Sequence, residues 1–82
     1  MNKVTETELN SAMAEFKDFE KTMSIGCKKD NLKMIEIIKN MLVLLNATPA
    51  DKIAELIISS VGIKSYFKRR LNGFEWLAQH SH

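Results

Sequence analysis

Apolar residues recur every three or four positions through the first half of the chain, and this spacing restricts the segment to helices. The first stripe consists of Leu9, Ala12, Met13, Phe16, Phe19 and Met23. Residues at these intervals share one face of an α-helix, whereas a half-buried strand needs strict alternation. Thr5 and Glu8 fit a capping box at the start of the helix, and Gly26 suits its C-terminal end. The pattern predicts a first helix over residues 5–24.

A second helix is predicted over residues 30–45, with Asp30 as its N-cap. Its main stripe is formed by Leu32, Ile35, Ile38, Met41, Leu42 and Leu45. The last part of the segment, from Met41 to Leu45, is apolar on every side. Because a helix that is apolar all round is buried, we expect this helix at the centre of the fold or against a second chain.

The start and stop signals are sharper in the second half of the chain. Thr48 and Pro49 suit the N-cap and the first helical position. Gly62 is expected to end that helix, and Asn72 with Gly73 is expected to break the helical segment after it. These signals predict helices over residues 48–61, 64–71 and 74–79.

Together these segments predict an all-α protein, a compact bundle of four to five short helices in a single domain over residues 1–82. Short connections favour neighbouring helices that pack antiparallel or at a steep angle. A domain of this size has a thin core, since it buries only about 60% of the surface that its unfolded chain exposes. We therefore expect it to gain stability by forming a homodimer or by binding a protein partner.

The residue types that commonly perform catalysis are few and scattered. Cys27 is the single cysteine, and both histidines, His80 and His82, stand far from it at the C-terminal end. Two histidines fall short of the four ligands of a structural zinc site. The three glycines are too far apart to form a phosphate-binding loop. We predict a non-enzymatic protein that uses neither a metal nor a cofactor.

Cysteine usage and hydropathy predict the compartment. A lone cysteine suits a reducing environment. The first six residues lack the apolar run of a signal peptide. The longest apolar run, Met41 to Leu45, is far shorter than the roughly 20 residues that span a membrane. We expect a cytoplasmic protein without a membrane span.

A cluster of basic and aromatic residues lies C-terminal to Gly62 and is the candidate binding site. The predicted partner-binding residues are Lys64, Tyr66, Phe67, Lys68, Arg69, Arg70 and Trp76. Aromatic residues and arginine dominate the energetics of protein interfaces, and basic side chains pair with acidic segments or phosphates. The alternative is that the charges only solvate an exposed face and that at least half of the aromatic residues pack in the core.

Residues 54–71 also resemble a DNA-binding helix-turn-helix, with Gly62 at the position of its turn glycine. Two residues depart from that pattern. Ile58 stands where the two helices approach closely and a small residue is usual, and Lys68 stands at a position that is normally apolar. This resemblance implies a DNA-binding transcription regulator as the alternative function.

The run from MNKVTETELNSAMAEF through NATPADKIAELI, together with the chain length and the Lys-, Asn- and Ile-rich composition, carries a second resemblance. In these features the whole chain resembles the cytoplasmic antiholin-type lysis-inhibition accessory proteins of T-even phages, without a diagnostic motif. The resemblance implies a protein of the host cytosol that binds the cytosolic N-terminal part of the phage holin and delays pore formation, alongside a periplasmic antiholin. It supplies no binding residues, so the predicted site rests on physical chemistry.

Overall fold

The computed structural model describes residues 6–48 and 60–81, and within these ranges the regular structure is entirely helical. The helices are α1 (Glu6–Thr22), α2 (Lys28–Ala47) and α3 (Ser60–His80). The predicted all-α class is therefore confirmed, with three helices in the described residues instead of four to five. Most of the helix predicted over residues 48–61 lies outside the described residues.

The helix α3 replaces two shorter helices that the sequence predicts, over residues 64–71 and 74–79. It runs through Gly62 and Gly73 without interruption, and neither glycine has a positive φ. The predicted break at Gly73 is wrong because the apolar face continues across it. A mid-helix glycine costs about 1 kcal/mol relative to alanine, which the burial of this face outweighs. The helix-turn-helix pattern requires a turn between two helices at Gly62. In the structure Gly62 lies inside the helix α3.

The connection between α1 and α2 uses its polar residues differently from the prediction. Cys27, not Asp30, is the N-cap of α2, and it makes no capping hydrogen bond through its side chain. The Asp30 carboxylate instead accepts a hydrogen bond from the backbone N–H of Ser24 at 2.9 Å. Gly26 lies in the turn without a left-handed conformation, so it is not the predicted C-cap. Asp30 thus links the connection between α1 and α2 to the N-terminal end of α2.

The helix α2 continues two residues beyond the predicted end at Leu45 and closes at Thr48. The hydroxyl of Thr48 donates a hydrogen bond to the carbonyl oxygen of Leu44 at 2.7 Å. The sequence places Thr48 at the start of the following helix. In the structure it satisfies a carbonyl that the end of α2 would otherwise leave unpaired.

The core lies on both sides of α2, because α1 and α3 each pack against it. Among the described helices α2 is thus the central one, which is the first of the two placements predicted for it, although Val43 in its apolar last part is 65% exposed. The buried apolar residues are Leu9, Ala12, Phe16, Met34, Ile35, Ile37, Ile38, Met41, Leu45, Phe67, Phe74 and Ala78. Among the described residues, no helix has the length and apolar content that crossing a membrane requires.

One buried polar side chain, Asn31, joins three parts of the fold. Its Nδ2 donates hydrogen bonds to the carbonyl oxygen of Ile25 at 2.8 Å and to the hydroxyl of Ser81 at 3.2 Å. The side chain is fully buried, and within the described residues its Oδ1 has no hydrogen-bond partner. Asn31 therefore ties both the α1–α2 turn and the end of α3 to the start of α2.

Candidate partner-binding surface

The helix α3 has one face in the core and one face in solvent. The inward positions Phe67, Leu71, Phe74 and Ala78 are buried or half-buried. The positions of the opposite stripe are Tyr66, Arg69, Gly73, Trp76 and His80, which we call the α3 outer face. They recur at three- and four-residue intervals, which places them along one side of the helix, and all are exposed.

Trp76 is the most prominent side chain of the α3 outer face. It is 58% exposed, an unusual position for so large an apolar surface. The indole ring stacks on the imidazole ring of His80, with the centroids 4.0 Å apart and the planes inclined by 15°. His80 Nδ1 in turn donates a hydrogen bond to the carbonyl oxygen of Trp76 at 2.8 Å. The stack holds the indole in place while leaving much of it open to contact.

The predicted basic residues differ in whether they form a salt bridge with a described carboxylate. Lys68 and Arg69 are exposed and Lys64 is half-buried, and none of the three pairs with a described carboxylate. Arg70 forms a salt bridge with Glu20 of α1, and its guanidinium lies 5.1 Å from the ring centroid of Phe74. The role of Arg70 in this structure is therefore to join α3 to α1.

The prediction that Phe67 binds a partner is wrong, because the residue belongs to the core. It is 1% exposed and meets Phe16 edge-to-face, with the ring centroids 5.0 Å apart. Tyr66, by contrast, is 38% exposed. Its ring packs edge-to-face on Phe67, with the ring centroids 5.2 Å apart. Continuing the apolar spacing across Gly73 would have assigned Phe67 to the inward face.

A groove of about 210 Å³ lies along α3. Its lining consists of Ile25, Arg69, Arg70, Gly73, Phe74 and Leu77. Ile25 comes from the α1–α2 turn and is 60% exposed, and the sequence contains no signal that brings it to α3. We call this the Gly73 groove. It combines apolar side chains with the guanidinium of Arg69, which pairs with no carboxylate in the part of the chain that the structure describes, and this combination suits a ligand that is both apolar and acidic.

No protein family, curated protein or solved structure matches this chain. The candidate surface is therefore defined by the geometry of this chain.

A second groove, of about 410 Å³, lies between α1 and α2 and is wide open. Its lining consists of Thr7, Glu8, Ser11, Ala12, Glu15, Asn40 and Leu44. It offers two carboxylates and no aromatic side chain. In the same described residues, no three His, Cys, Asp or Glu side chains are placed to hold a metal ion. The α3 outer face and the Gly73 groove thus form the stronger candidate for a binding site.

Proposed function

We propose that this protein is a non-enzymatic regulator of lysis, a cytoplasmic antiholin that binds the cytosolic part of a phage holin and delays pore formation. The resemblance to lysis-inhibition accessory proteins suggests the partner. The observation that carries the binding role is the exposed Trp76, which stacks on His80 and shares the α3 outer face with Arg69, a residue that pairs with no described carboxylate.

Physical chemistry supports a binding role for these groups. An indole exposed to water forfeits most of the free energy that burying it would provide, and that free energy becomes available when a partner covers it. Tryptophan and arginine are the residues most enriched among energetic hot spots of interfaces. Because the His80 stack already orders the indole, a partner loses little conformational entropy in using it.

A fluorescence-anisotropy titration tests the proposal. The labelled cytosolic segment of the holin is titrated with the full-length protein, beside a scrambled segment and a random DNA duplex. Trp76→Ala should weaken holin binding by about 2 kcal/mol, roughly thirtyfold in Kd, as expected for a hot spot. Val43→Ala is the control, since Val43 is 65% exposed on α2 and belongs neither to the α3 outer face nor to the lining of the Gly73 groove.

Charge reversal at Lys68 and Arg69 should also weaken binding while the helical content measured by circular dichroism stays the same. Absence of saturable binding to the holin segment would overturn the antiholin proposal. Binding to the DNA duplex alone, with a steep loss of affinity as salt is raised, would instead favour the transcription-regulator alternative. Equal affinity of the wild type and Trp76→Ala would remove the α3 outer face from the interface.

A further inference from the structure

Gly73 stands near the middle of α3, although nothing in the described fold requires a glycine there. Its φ is not positive, and apart from its two chain neighbours and the backbone of its own helix, a Cβ built on it would meet no heavy atom of the described residues within 4 Å. Glycine destabilises a helix interior relative to alanine, so this position weakens the isolated protein without a local structural reason. A glycine also allows another backbone to approach closely. The backbone at Gly73, which no side chain covers, lies at the centre of the α3 outer face and lines the Gly73 groove.

The surroundings of Gly73 specify what could approach it. Ile25 and Leu77 present apolar surface in the groove, and Arg69 has no described carboxylate as a partner. The charge of α3 supports the same conclusion, because the helix has four Lys or Arg residues and one acid, a net charge of +3 that becomes +2 when Glu20, the partner of Arg70, is included. Charges of this sign attract an acidic partner and repel a basic one.

We propose that the Gly73 groove is the docking site for an acidic amphipathic helix of a protein partner. The helix crosses α3 closely at Gly73, inserts apolar side chains against Ile25 and Leu77, and presents a carboxylate to Arg69. This is the helix-in-groove mode of recognition. The inference deepens the proposed function by giving the chemistry of the partner segment, and it rests on α3 being the binding surface.

A second copy of this chain fits the groove less well than a foreign acidic helix. Two α3 helices packed face to face would bring two positively charged surfaces together. The helix α1 is acidic, with five acids and two lysines and a net charge of −3, but its apolar residues Leu9, Ala12 and Phe16 are already buried in its own core. A nucleic acid would need a row of free basic side chains along its backbone, whereas the groove is mainly apolar and Arg70 is engaged with Glu20.

The test uses the full-length protein and three labelled probes. The first is a designed amphipathic helix of about 20 residues, long enough to form a helix, with a leucine stripe flanked by glutamates. The second replaces every glutamate by lysine, and the third is a single-stranded oligonucleotide. The acidic peptide should bind saturably, and the basic peptide should bind at least about tenfold more weakly.

Two substitutions separate docking from helix stability. Gly73→Ala should raise the melting temperature, because alanine favours the helix. It should also lower the affinity for the acidic peptide about tenfold, because the added methyl group lies where the partner packs. Asn72→Ala is the matched control, since Asn72 is exposed, adjacent in sequence and outside the groove lining. It should also raise the melting temperature, but leave the affinity unchanged.

The inference is overturned if the basic peptide binds as tightly as the acidic one, if the oligonucleotide binds more tightly than either, or if Gly73→Ala leaves the affinity unchanged. Running the holin segment in parallel separates this inference from the proposed function. Holin binding that is insensitive to Gly73→Ala overturns the docking site and supports the antiholin role. Acidic-peptide binding with the Gly73 effect, but without holin binding, supports the docking site and overturns the antiholin role.

Discussion

Truncating Phe67 to alanine tests whether this residue belongs to the core or to the binding surface. The side chain is 1% exposed and packs edge-to-face on Phe16. Removing a buried phenylalanine ring costs about 3–5 kcal/mol, from lost transfer free energy and the cavity left behind. A domain of 82 residues has a total unfolding free energy of about 4–12 kcal/mol. Phe67→Ala therefore removes between a quarter and all of the stability.

The measurement is urea unfolding followed by far-ultraviolet circular dichroism. Phe67→Leu keeps an apolar side chain. It replaces Phe67→Ala in the measurement if the alanine variant is too unstable to give a native baseline. Combining it with Phe16→Leu in a double-mutant cycle should give a coupling of about 0.5–1.5 kcal/mol, the value of an aromatic pair beyond its buried area.

Trp76→Ala is the comparison, because Trp76 is 58% exposed on the same helix. Its unfolding free energy should change by about 1 kcal/mol or less, as for most surface substitutions. If Phe67→Ala were no more costly than Trp76→Ala, the placement of Phe67 in the core would be refuted, and with it the assignment of the two faces of α3.

Two further predictions concern the contacts that hold the helices together. Asn31→Ala should lower the unfolding free energy by about 1–3 kcal/mol, because it removes two hydrogen bonds from a fully buried site. The exposed Asn40→Ala should cause no loss, and equal effects at the two positions would contradict the bridging role of Asn31. Glu20→Gln should cost about 0.2–1 kcal/mol, since the Arg70–Glu20 pair is exposed, and the loss should shrink as sodium chloride is added. A loss that is independent of salt would show that the pair does not act through its charges.

The helical class and the central position of α2 could be predicted from the sequence, because the spacing of apolar residues directly reflects which side of a helix is buried. Ile38, Met41 and Leu45 of the predicted α2 stripe are fully buried, but Leu32 of that stripe is 49% exposed and Met34, which lies off it, is fully buried. The boundaries were less predictable. Asp30 suits a helix start by residue type, yet it holds the turn before α2, and Thr48, which is predicted to start the next helix, also closes α2. Capping residues accept several local partners, and only the surrounding chain selects among them.

The candidate site was predicted in part. The sequence singled out Tyr66, Arg69 and Trp76, and the structure places all three on the exposed side of α3. It also singled out Phe67, which lies in the core, and it missed Ile25, which reaches the Gly73 groove from another element. Residue type alone does not distinguish a core aromatic from an interface aromatic, since both bury apolar surface.

By itself, the sequence determined the all-α class and the apolar face of α1, because helix periodicity is a local property of the chain. The tertiary structure decided that α3 is continuous, because burying Phe67, Phe74 and Ala78 against α2 outweighs the local preference of Gly73 to interrupt a helix. It also decided which side chains form the groove, because Ile25 and Gly73 are distant in sequence and meet only when α1, α2 and α3 pack together.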